Sequence, residues 1–177
     1  MKRRIASGLF LVFAAAVLLF ELFPPPAADA QGEDEASSES LAIVVNVSNP
    51  VDNLSSKELR QIFLGERSHW ANGHRITLVV MEPGTAERRT VLHEIYHMSE
   101  GDFSRHFLHG LFTGEVFVSP KTLATPVGVR KFVFNVPGAI GYVRASDVDN
   151  TVKVIRIDGH LPDDKDYKLQ IDPRGSR

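Results

Sequence analysis

An α/β layered domain with a mixed sheet is the fold class that the sequence predicts, and three observations predict it. The run LAIVVNV, starting at Leu41, is continuously apolar and rich in β-branched residues, as expected for a strand buried on both faces. Amphipathic helical segments then alternate with further short runs of the same kind, ITLVV, AIGYV and VKVIRI. Turn chemistry separates them, most clearly at Asn72-Gly73 and at Glu82-Pro83-Gly84-Thr85. No internal repeat is visible.

Each element has its own justification. In LSSKELRQIFLG, Ser55 is the natural N-cap, Glu58 completes a capping box at N3, and Leu54 with Leu59 form a hydrophobic staple. Leu59, Ile62 and Phe63 share one apolar face, and Gly65 falls where a C′ glycine belongs. The strand Ile76 to Val80 follows, then the EPGT turn and a helix from about Ala86 to Met98. A second helix should run from about Asp102 to Phe112 and end before Gly114, with Phe103, Phe107, Leu111 and Phe112 on its buried face. Ser119-Pro120 and Thr125-Pro126 each pair an N-cap with an N1 proline, so short helices should start at both. Two strands, AIGYV and VKVIRI, close the domain, and Trp70 and Phe63 read as core.

The flanks differ in composition. Residues 1–30 carry a basic start at Lys2, Arg3 and Arg4, an apolar stretch from Ile5 to Phe20 and a small-residue site at Ala28-Asp29-Ala30. This is the pattern of a signal peptide cleaved after Ala30, with an uncleaved membrane anchor as the alternative. Residues 31–40 (QGEDEASSES) are acidic and lack large apolar groups, so a disordered spacer is expected there. The domain is expected over 41–161, with a flexible tail over 162–177.

Without cysteine there is no disulfide, lipid-bearing cysteine, thiolate metal site or cysteine nucleophile. Loss of residues 1–30 removes three positive and two negative charges and moves the net charge from −2 to −3. That near-neutral balance, with no basic stripe, argues against nucleic acid. No motif calls for a cofactor.

Three segments together resemble a known family. The stretch LSSKELRQIFLGERSHWANG looks like the LT-x-EQL-x-x-IF-x-G…W-x-(D/N)G signature of the substrate-binding proteins of phosphate ABC importers. VPGAIGYV, Val136 to Val143, resembles that family's PGAIGY segment, and FTGEVFVSP matches a linker in its small members. The resemblance covers about Leu41 to Ile157. It implies one lobe of a type II periplasmic-binding-protein-like fold, a mixed β-sheet flanked by helices, in a periplasmic or secreted protein that binds phosphate or a similar small oxyanion. Full members have two lobes closing on the anion. This chain has room for one.

The candidate anion site is the turn after ITLVV. If Thr85 caps the next helix, the amides that follow face outward, Gly84 allows close backbone approach, and Arg88 or Arg89 can supply a charge-assisted clamp. The family carries R-x-x-x-S-G-T here, and the matching residues are Val79, Pro83, Gly84 and Thr85. The glycine and threonine are kept; the arginine and serine are not.

A literal HExxH, His93 to His97, offers a competing zinc-peptidase reading in which two histidines one helical turn apart hold a metal. Its apolar neighbours Val91, Leu92, Ile95 and Met98 place both histidines on the outer face, so no metal is assigned. A third reading is an envelope accessory domain that has lost anion binding and docks a protein partner or a permease.

Overall fold

The computed structural model describes residues 39–117 and 119–171. The apolar run forms the central strand β1 (Glu39–Asn46), and Leu41 to Val45 are fully buried. Strand β5 (Ala139–Arg144) flanks β1 antiparallel on one side, and β6 (Val152–Val154) on the other. Beyond β5, β3 (Thr77–Met81) runs parallel to it and β4 (Lys121–Leu123) parallel to β3. The order is β4-β3-β5-β1-β6, with β8 (Gln170–Ile171) paired to the first residues of β1. A two-stranded parallel pair, β2 (Asn53–Leu54) with β7 (Arg156–Ile157), stands apart. The sheet is therefore mixed, as expected.

Helix α1 (Ser56–Phe63) forms as its caps dictate. Ser55 Oγ accepts from the Glu58 amide, the Glu58 carboxylate accepts from the Ser55 amide, and Gly65 takes the left-handed conformation at φ 76°. Leu59, Ile62 and Phe63 are buried against the sheet. Trp70 is buried too, and its indole N–H donates to the Gly138 carbonyl at 2.9 Å. A side chain at Gly138 would meet the Arg75 carbonyl oxygen at 1.9 Å, so glycine is required where these backbones cross. Helix α4 (Pro126–Asn135) starts at the Thr125 cap with proline in its first turn.

Several expectations are corrected. The helix expected over Ala86 to Met98 is a short α2 (Ala86–Val91) followed by a π-helical turn, Leu92–Tyr96, that ends at a left-handed His97. Helix α3 (Glu100–Thr113) is longer than expected because Ser99 caps it, and Gly114 ends it. Its buried face is Phe103 and Phe107; Leu111 and Phe112 point outward, Phe112 at 85% exposure.

No helix starts at Ser119-Pro120. Pairing with the edge of β3, Val79 opposite Lys121, draws Lys121–Leu123 into a strand instead. The segment expected as a flexible tail packs through Ile171. Tyr167, Leu169 and Ile171 are buried, and the Tyr167 hydroxyl donates to the Leu41 carbonyl at 2.6 Å. Pairing with β8 likewise carries β1 back to Glu39, inside the expected spacer. The signal segment 1–30, the rest of the spacer and residues 172–177 lie outside the described residues. Among the described residues, no helix is long and apolar enough to cross a membrane.

Candidate functional site

The turn after β3 places the predicted site residues. Gly84 adopts φ 90°, a conformation costly for any side-chain-bearing residue, and it brings Thr85 into extended geometry at the cap of α2. Thr85 Oγ1 donates to the Glu82 carbonyl at 3.1 Å and accepts the Arg88 amide at 3.2 Å. Unlike α1, α2 has no acid at N3: the residue there is Arg88, which cannot accept a bond. Among the described residues, no acceptor meets the amides of Ala86 or Glu87, whereas the Thr85 amide faces the Glu82 carbonyl across the Pro83-Gly84 turn. The exposed Arg89 folds back over the turn, with Nη1 donating to the Gly84 carbonyl at 2.7 Å. Gly84, Thr85 and Arg89 thus converge at the surface.

Arg88 does not join them. It is 2% exposed and turns inward, gripping Glu100 through Nη2 at 2.7 Å and Nε at 3.2 Å. Its guanidinium lies 3.8 Å from the centre of the Phe103 ring. Burial works against this charge most strongly, but the Glu100 hydrogen bond and the neighbouring acidic groups of Tyr142, Glu100 and Tyr96 together outweigh it and hold the group above its ordinary pKa. Burial also pushes Tyr96 well up and Tyr142 to about 12. Tyr96 meets Phe63, Phe103 and Phe107 edge-on. Arg88 therefore locks α2 to α3 beside this aromatic cluster and is unavailable as a surface clamp. Val79, at the position of the family's arginine, is likewise core and packs over Gly141.

The second residue of α2, Glu87, is also buried and bonds Arg144, which reaches Glu39 with its other arm at 2.5 Å. This chain of charges ties the turn to the ends of β1 and β5.

The π-helical turn breaks the HExxH geometry. One extra residue per turn removes the one-turn stacking that a zinc pair needs. His97 Nδ1 bonds the His93 carbonyl at 2.7 Å, and His93 Nδ1 bonds Glu94 at 2.8 Å. Among the described residues, no cluster of three or more His, Cys, Asp or Glu could hold a metal.

The histidines instead wall a cleft of about 690 Å3 between the turn, α2 and the start of α3, with Gly84, Arg89, Leu92 and Met98 also in its lining. Ser99 and Glu100 complete it. Sequence reasoning missed these two, although Ser99 with Asp102 three residues on is a cap pattern and shows where α3 begins.

No family model matches the chain. The phosphate-binding protein PstS of Bacillus subtilis is 28% identical over 130 residues, which cover 71% of this chain and 38% of that protein. An ABC-type phosphate transport receptor from Vibrio cholerae superposes with a TM-score of 0.54 at 22% identity, covering 70% of this chain and 48% of that one. PstS from Borrelia burgdorferi superposes with a TM-score of 0.57 at 11% identity, covering 76% and 55%. The chain carries the fold of the phosphate-transporter substrate-binding proteins. It spans well under half the length of the Bacillus relative and about half of each solved structure.

Proposed function

We propose that this chain is a periplasmic solute-binding protein, related to the binding components of phosphate ABC importers, that takes phosphate or a similar oxyanion weakly at the Gly84–Thr85 turn. The observation that carries this reading is the open start of α2. There Ala86 and Glu87 present amides that meet no acceptor among the described residues, beside Arg89, on a fold shared with phosphate-binding relatives. Free amides at a helix start with a cation alongside favour an anion.

Two features keep the affinity low. Pro83 offers no amide or hydroxyl, and the buried Glu87 carboxylate sits within the same first turn. Open amides beside an arginine suit holding an ion, and binding rather than catalysis is the chemistry this reading assigns to the turn. An envelope location and a permease or other envelope partner belong to the same proposal, and the exposed row Leu108, Leu111, Phe112 and Phe117 supplies an apolar surface for such a partner.

Calorimetry of the full-length chain with phosphate and with sulfate tests the reading. Heat that saturates at about millimolar ligand, abolished by Arg89→Ala, is expected. Absence of heat together with an unchanged melting temperature contradicts it.

A further inference from the structure

A second cleft adjoins the first. It measures about 410 Å3 and is walled by Lys57 and Arg60 of α1, Glu94, His97, and Lys168 before β8. Its floor is apolar, from the buried Leu59, Ile95, Ile157 and Leu169. His97 lines both clefts and is the wall they share. Arg60 is fixed in place by donating to the Ile95 carbonyl at 2.7 Å, whereas Lys57 and Lys168 are exposed and form no ion pair among the described residues.

The charge balance of the two clefts taken together is positive. Lys57, Arg60, Lys168 and Arg89 are cations in their lining, against Glu94, Glu100 and the Asp158 carboxylate, which bonds the lining Ser56 and faces Lys168. Glu100 is already matched by the buried Arg88, and His93 and His97 add further charge when protonated. Each cleft falls in or near the size range of sites for small organic molecules, well beyond a single tetrahedral ion. Cations distributed along two neighbouring clefts are best satisfied by an anion that carries charge at several points along its length.

We propose that the two clefts together bind a linear oligophosphate, with phosphates reaching from Arg89 and His93 past His97 to Lys57, Arg60 and Lys168. The Arg89 end rests on the oxyanion reading given above; the Lys57–Lys168 end does not. An organic group on the oligophosphate would lie against the apolar floor, and an inorganic chain would leave that floor unused.

The test is calorimetry of the full-length chain with inorganic phosphate, inorganic tripolyphosphate, adenosine triphosphate and citrate, repeated on the double variant Lys57→Gln/Lys168→Gln. Tripolyphosphate should bind at least about tenfold tighter than phosphate. The double variant should erase that preference without altering phosphate affinity, and citrate, a compact trivalent anion, should gain nothing. Tighter binding of adenosine triphosphate than tripolyphosphate assigns the organic form, and equal binding assigns the inorganic one. Equal affinity for phosphate and tripolyphosphate overturns this inference and leaves the oxyanion reading standing. A preference that survives the double variant also overturns it. Tripolyphosphate binding that needs Lys57 and Lys168, with no phosphate binding, supports this inference and removes the other.

Discussion

Helices α1 and α2 begin alike and end their first turns differently. Both have a hydroxyl N-cap that accepts the N3 amide, Ser55 in one and Thr85 in the other. At α1 the protein supplies its own anions. Glu58 takes the Ser55 amide, and the Asp158 carboxylate takes both the Ser56 amide at 2.9 Å and the Ser56 hydroxyl. At α2 the N3 side chain turns inward to Glu100 and the amides stay open. A helix start stays open to a ligand only where its neighbours decline to fill it. The cap residue alone does not decide this.

The largest effect should come from the contact that separates the two starts. Glu100→Gln leaves the Arg88 guanidinium buried with its countercharge gone, and should cost about 2 kcal/mol, below the full penalty of a buried pair because Glu100 is 40% exposed. Glu58→Gln, at α1, keeps an acceptor for the Ser55 amide and should cost well under 1 kcal/mol. Chemical denaturation of the two variants checks the contrast, and equal losses would erase the proposed difference.

Removing the caps should cost less and nearly the same at each helix. Ser55→Ala and Thr85→Ala should each lower stability by about 1 kcal/mol, measured by denaturant midpoints. They should differ in ligand response: only Thr85→Ala should weaken phosphate binding.

The smallest effect is a pH dependence. Hydrogen bonds from Ser55 hold Glu58, and those from Ser56 hold Asp158, below the usual carboxylate range. A folded pKa below the unfolded one gives stability that is present above the unfolded value and lost as pH falls through the folded value. The melting temperature should therefore fall as pH drops from about 5 toward 3, and the fall should be shallower in the double variant Glu58→Gln/Asp158→Asn. An equally steep fall would show that these two carboxylates do not report on α1.

Much of this was legible in the sequence because it is local. The capping box of α1, the Thr85 cap, Gly65 at C′ and Thr125-Pro126 are contacts between residues three or four apart, and each formed as its pattern dictates. What escaped depends on distant partners. Lys121–Leu123 is a strand only because β3 offers an edge, and Arg88 is core only because Glu100 and Phe103 meet it. The buried end of the chain was half legible. Tyr167, Leu169 and Ile171 alternate with Lys168 and Gln170 as a one-sided strand does, but the surrounding Asp, Lys and Pro hid the pattern. The π-helical turn left no mark in LHEIYH that periodicity could detect.

The most direct test of the contrast between the two helix starts is a phosphate titration followed by backbone amide chemical shifts. Saturable shifts are expected at Gly84, Thr85, Ala86 and Glu87, with Ser55, Ser56 and Glu58 unmoved. Shifts of similar size at both starts, or none at Thr85 to Glu87, would contradict that contrast.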